Sequence, residues 1–204
     1  MLRTIFLLSI VISSACTTAY HQDHKVKLHP NPSPLDIREA ILISLPQGLS
    51  YSESELITTN IQQQLKSNGF IEAYSSEELE VELLSAGITD FSIQRNVDRL
   101  YSELGIVYLL QVDILNRRKA GRGKLSQLSA ANREFERNQV NFYHYPENLH
   151  LVDIQYSLYQ TDIADTLAVY RVHAAHKWDN TFRPKIIRSD IQRLIDFLNL
   201  GVTY

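Results

Sequence analysis

Two periodicities alternate along this chain, and the points where one gives way to the other mark its elements. Residues 40–45 (AILISL) form a short apolar run closed by Pro46, Gln47 and Gly48, the pattern of a buried strand. Ser52 and Glu55 have capping-box spacing, with Tyr51 and Leu56 placed as a flanking hydrophobic staple. From there Ile57, Ile61 and Leu65 share one helical face until Asn68-Gly69 supplies a left-handed stop. Residues 70–74 read as a second short strand. Ser75 and Glu78 repeat the capping spacing ahead of a short acidic helix ending near Gly87. A third helix from about Ser92 carries Ile93, Val97, Leu100 and Leu104, with Gly105 as terminator.

Residues 106–115 (IVYLLQVDIL) are the strongest strand signal. Tyr108, Leu110, Val112 and Ile114 share one face and Gln111 and Asp113 the other, so this sheet is expected to be covered on one side and partly wet on the second. Residues 149–160 and 167–176 read as two further strands joined by a turn at 161–165, and Ile187, Ile191, Leu194, Ile195 and Leu198 mark a last helix before Gly201. The fold class expected is α/β in the two-layer α+β sense: a mixed sheet of about five strands with helices mainly on one face.

The first 16 residues, MLRTIFLLSIVISSAC, follow a different logic. One cation at Arg3, an apolar run over 5–12 and small residues ending at Cys16 have the form of a signal peptide over residues 1–15. Eight helical residues reach about 12 Å, short of a hydrocarbon core of about 30 Å, so this run does not span a bilayer. Cys16 after Ser13-Ser14-Ala15 resembles the lipobox of bacterial lipoproteins, although Ser13 stands where that motif usually has an aliphatic residue. The resemblance implies acylation, palmitate included, at Cys16. Thr17 after the cysteine, rather than Asp, implies the periplasmic face of the outer membrane. The alternative is ordinary secretion to the periplasm or beyond, since Thr17-Thr18-Ala19 also suits the general signal peptidase and cleavage there would discard Cys16.

Residues 16–35 then read as the lipidated cysteine and a flexible tether, with Pro30, Pro32 and Pro34 at alternate positions. As extended polyproline it spans at most about 60 Å, and as coil about 25 Å. His21, His24 and His29 within it read as solvated side chains rather than metal ligands. Residues 36–204 are expected to form a single domain.

Composition narrows the function classes. The chain has 204 residues, 44% hydrophobic and 21% charged, which suits one globular domain. With 20 Lys+Arg against 23 Asp+Glu the net charge is -3, so there is no global basic field for nucleic acid. A single cysteine makes neither an internal disulfide nor a multi-cysteine zinc site.

The order of elements, the segment Leu104-Gly105-Ile106-Val107-Tyr108-Leu109-Leu110 and the strand around Val152-Asp153-Ile154-Gln155-Tyr156 resemble periplasmic lipoproteins with a domain like the N-terminal domain of TolB. The curli secretion lipoprotein CsgG and the cell-wall synthase activator LpoB have that shape. The chain also resembles a family of small bacterial lipoproteins with a Trp and a Pro before the last helix, as in Trp178 and Pro184. The resemblance spans roughly residues 38–199 and implies a TolB-N-like fold and envelope residence. Two departures stand out. The final hairpin has Asp162-Ile163-Ala164-Asp165 where relatives have Asp-x-Gly, and residues 116–148 form an inserted loop or extended hairpin.

That insertion opens with Arg117, Arg118, Lys119, Arg122 and Lys124, a candidate anion-binding stretch for lipid, lipopolysaccharide phosphate or glycan. Gly121 and Gly123 would let backbone approach a phosphate, but no GxxxxGK[ST] follows a strand, so a nucleotide P-loop is rejected. Phe135, Phe142, Tyr143 and Tyr145 could prolong the hairpin. GxSxG and HExxH are absent. His173 and His176 would lie on opposite faces of a strand, the acidic run Glu77, Glu78, Glu80 and Glu82 suits a helix start, and Asp113 and Asp153 would pair only if their strands set them side by side. The sequence therefore points to a non-catalytic, lipid-anchored periplasmic interaction module with an envelope protein partner. No cofactor, no metal and no nucleic acid are expected. Anionic-ligand binding through 117–124 is the alternative, and an envelope hydrolase the lesser one.

Overall fold

The computed structural model of the chain describes residues 21–28, 35–119, 149–177 and 182–200. The elements are β1 (His21–Leu28), β2 (Ala40–Ser44), α1 (Tyr51–Ser67), β3 (Ala73–Ser75), α2 (Glu80–Ser85), α3 (Gln94–Leu104), β4 (Ile106–Lys119), β5 (Leu149–Gln160), β6 (Asp165–Lys177) and α4 (Pro184–Leu200). Six strands form one mixed sheet in the order β1-β6-β5-β4-β2-β3. The β4, β5, β6 and β1 pairings are antiparallel, and β2 runs parallel to both β4 and β3.

Each face follows from strand alternation. On one face Ile41 and Ile43, Tyr108, Leu110 and Val112, Val152, Ile154 and Tyr156, and Tyr170 and Val172 pack against Ile57, Ile61 and Leu65 of α1 and Ile187, Ile191 and Leu194 of α4. On the other, Leu42 and Leu109 meet Leu83, Val97 and Leu100, so α2 and α3 cover only the parallel end. Among the described residues the antiparallel half has helices on one side alone. There Gln111, Asp113, Asp153, Gln155 and His173 are half-buried and Arg171 is exposed, the partly wet face that the alternation in β4 predicts.

The sixth strand corrects the reading of residues 16–35 as a tether throughout. Residues 21–28 pair with β6, His21 opposite Ala174 and Leu28 opposite Ala168. Val26 and Leu28 pack on the core, with exposed Lys27 between them. Two apolar residues give a weak strand signal, and lysine on an outermost strand discourages further pairing.

The first cap also shifts. Ser50, not Ser52, caps α1: its Oγ accepts from Glu53 N at 3.4 Å, and Glu53 Oε2 accepts from Ser50 N at 3.0 Å. Both serines satisfy the spacing, and the earlier one adds two helical residues. Tyr51 is 75% exposed and forms no staple. The Ser75 and Glu78 bonds form as expected, at 2.7 and 3.1 Å, but the helix starts later, at Glu80. Helix α3 starts at Gln94, and Ile93 is its exposed N-cap rather than part of its apolar stripe. Gly105 ends α3 at φ 66°, the left-handed stop expected there. In the last hairpin Ala164 adopts φ 53°, a conformation that glycine usually supplies. The turn is held by Thr161, whose Oγ1 donates to Ile106 O at 2.5 Å.

Candidate functional site

The strands differ greatly in length: β4 has 14 residues and its parallel neighbour β2 has five. Ser44 at the end of β2 lies opposite Gln111, so β4 runs on for eight more residues, about 26 Å, beyond the parallel half. This step creates two polar regions, a cleft at the end of β2 and a projecting antiparallel arm.

The cleft has a volume of about 500 Å³ and is lined by Ser44, Gln47, Glu80, Asp90, Ser92 and Gln111, with Leu84, Ile88 and Phe91 among its apolar walls. Its loop is preformed. Asp90 Oδ1 accepts from Ser92 N at 2.8 Å, and Asn96 Nδ2 donates to Asp90 O at 2.8 Å; the Ser92 side chain first, and its backbone N–H second, hold the Asp90 carboxyl below its ordinary value. Glu80 and Asp90 make the cleft better suited to neutral polar or cationic groups than to anions. Sequence reasoning did not find it. The available signal was strand β2 followed by Pro46-Gln47-Gly48, because clefts in parallel sheets open beyond the carboxyl ends of the strands.

On the open face of the arm, Asp113, Gln155 and Arg171 stand directly opposite one another on β4, β5 and β6. Arg171 Nη2 donates to Gln155 Oε1 at 2.7 Å, and Gln155 Nε2 donates to Ser157 Oγ at 3.2 Å. Partial burial pushes the Asp113 carboxyl up from its ordinary value. Asp113 and Asp153 are not brought together. A bulge between Ile114 and Asn116 sets Asp153 opposite Asn116, and Asp153 Oδ1 bonds Nδ1 of His173, its direct neighbour on β6. His176, three residues beyond His173, is opposite His150 instead. Among the described residues no group of three or more His, Cys, Asp or Glu could hold a metal ion.

The acidic run is absorbed locally. Glu77 accepts from Ser54 Oγ at 2.9 Å, and Glu78 accepts from Gln62 Nε2 at 2.7 Å. Of the candidate anion binders, Arg117 is engaged: its Nη2 lies 2.8 Å from Glu53 Oε1 and its guanidinium 5.9 Å from the Phe182 ring centroid. Arg118 and Lys119 are the last two residues of β4. Arg122 and Lys124, Phe135, Phe142, Tyr143, Tyr145, Trp178, His29 and Cys16 lie outside the described residues.

Sequence reasoning also passed over a buried polar contact behind the sheet. Asp190 sits within the apolar stripe of α4, fully buried, and its Oδ2 accepts from Tyr156 Oη at 3.1 Å. Burial and then the Asp190 carboxylate push the Tyr156 hydroxyl well above its ordinary value. The signal was an acid between Ile187 and Ile191.

No family model and no curated protein sequence matches this chain. Among solved structures it is similar to the PelC dodecamer from Paraburkholderia phytofirmans, with TM-score 0.46, 8% identity, 87% of this chain covered and 98% of that one. It is similar also to lipoprotein GNA1162 from Neisseria meningitidis, with TM-score 0.46, 8% identity, and 78% and 96% of the two chains covered. At these scores and identities no ligand, assembly or activity passes from either protein to this chain.

Proposed function

We propose that this chain is a lipid-anchored periplasmic module on the inner leaflet of the outer membrane, and that it helps assemble or regulate a cell-envelope complex without chemistry of its own. The observation that carries the reading is the N-terminal order: an apolar run closes on Cys16, and the folded sheet begins five positions later at His21. Two or three acyl chains, each methylene contributing about 0.8 kcal/mol, suffice for a stable anchor. The Asp153 and His173 pair is read as a cross-strand structural contact.

A protein partner has a candidate contact at the far end of the domain. Ile37 and Ile71 are joined by Ile71 N donating to Ile37 O at 3.3 Å. Asp36 N donates to Tyr108 Oη at 3.0 Å, and Tyr108 faces Gln160, which sets this segment beside the hairpin turn carrying Ile163. All three isoleucines are exposed, Ile71 at 70%. Affinity capture from detergent-solubilised envelopes tests the proposal, with Ile71→Glu as the paired variant. A partner retained by the wild type and lost by the variant at unchanged melting temperature is expected. A wild type and a variant that retain the same proteins, or none, would contradict a partner at this surface.

Anionic-ligand binding is the second reading. It is favoured by one observation: Arg118 and Lys119 lie at the projecting end of β4, past the row in which Arg117 is committed to Glu53.

A further inference from the structure

The start of β1, five positions after Cys16, and the basic stretch are far apart in sequence, yet the sheet brings them to one end. His21 on β1 faces Ala174 on β6, Ala174 faces Val152 on β5, and Val152 faces Arg117 on β4. This single row crosses four strands, a width of about 14 Å at the usual spacing. His21 follows Cys16 by five positions, so the row starts within about 17 Å of the cysteine, however the intervening residues run. A 19-residue tether would have left the orientation of the domain free. A strand that starts this close to the acylation site keeps this end of the sheet near the membrane.

Among the described residues the arm continues past that row on β4, β5 and β6. Arg118 faces Leu151 and Leu151 faces Ala175; Lys119 faces His150 and His150 faces His176; Leu149 faces Lys177. These positions hold three permanent cations, Arg118, Lys119 and Lys177, two imidazoles and no carboxylate. The nearest described acids sit farther back: Asp153 bonded to His173, Glu53 paired with Arg117, and Asp23 at the β1 bulge. In a chain of net charge -3, the described residues thus place three cationic positions at the end of the sheet where β1 begins.

We infer that this end of the sheet, with Arg118, Lys119 and Lys177, rests on the anionic phospholipid headgroups of the membrane that holds the Cys16 acyl chains. The domain is thereby fixed upright, with its hairpin turn pointing away from the bilayer. The inference rests on acylation at Cys16. Each cation near an anionic surface favours the docked orientation by about fivefold, so the three together supply on the order of 100-fold.

The test uses the full acylated chain in vesicles of phosphatidylcholine with or without phosphatidylglycerol. A fluorophore is placed at Asn116→Cys, an exposed position beside the basic end, or at Ile163→Cys, at the hairpin turn, and quenched by a nitroxide on the lipid headgroup. The Asn116 label should be quenched strongly in the anionic vesicles and the Ile163 label weakly. Changing Arg118, Lys119 and Lys177 to Gln should bring the two together, and so should about 1 M salt, where the Debye length is about 3 Å. Equal quenching at the two sites in anionic vesicles, or a difference unmoved by neutralisation and salt, would overturn the inference. Flotation with neutral vesicles is read in the same samples. A chain that floats without a preferred orientation overturns the docking alone, whereas one that floats no better than Cys16→Ser overturns the anchor and the docking with it.

Discussion

Individual side chains set the stability of this fold at a few telling points. Tyr156 is fully buried against Asp190, so its hydroxyl must stay protonated for the contact to exist. Its folded value is raised above the ordinary 10.0, and Tyr170, also buried, is raised too. The unfolded chain therefore releases these protons first as pH rises through about 10, and binds fewer protons than the folded chain above it. Stability from these tyrosines is complete below pH 10 and is lost above it. Chemical denaturation followed between pH 8 and pH 11 should show the midpoint falling steeply above 10, and Tyr156→Phe should flatten that fall while costing about 1 kcal/mol at pH 8. An alkaline fall of the same steepness in the Phe variant would contradict this account. None of this was legible in the sequence beyond an acid inside an apolar stripe, because the partner of Asp190 is 34 positions away and only the packing of α4 on β5 brings them together.

Elements were legible where local signals agree and obscure where tertiary contacts decide. Gly105 and Gly69 stop their helices as the sequence indicates, both with positive φ, and the apolar stripes of α1 and α4 are the ones buried. The cap of α1 was misplaced because two serines offer the same spacing, and the choice between Ser50 and Ser52 is settled by where Glu53 lies, bonded to Ser50 on one side and Arg117 on the other. Strand β1 is hidden in the sequence because only Val26 and Leu28 give it an apolar pattern, and the pairing that makes it a strand comes from β6, about 150 positions later. The register of α1 has a direct test. Ile61 is fully buried, so Ile61→Asp places an unpaired carboxylate in the core at a cost of several kcal/mol out of a typical 5 to 15. Thermal unfolding should show a loss of the cooperative transition or a midpoint lower by tens of degrees. A midpoint within a degree or two of the wild type would mean that this face of α1 is not core.

At the scale of the whole molecule, the sheet has two unequal halves. Its short parallel end is sandwiched between helices and bears the cleft at Ser44, while its long antiparallel arm has one half-buried polar face and a basic end. The carboxylate pair that Asp113 and Asp153 could have made does not form, because the β4–β5 register sets Asp113 opposite Gln155 and Asp153 opposite Asn116. The position of the basic stretch beside the start of β1 was equally hidden from the sequence, as it depends on strand order. The central claim is that this architecture hangs from an acylated Cys16. Metabolic labelling with a clickable palmitate analogue in a Gram-negative host, followed by envelope fractionation, tests it most directly. The wild type should incorporate the label and sediment with the outer membrane, and Cys16→Ser should lose the label and appear in the soluble periplasm; equal labelling of the two chains, or none in either, would contradict the account.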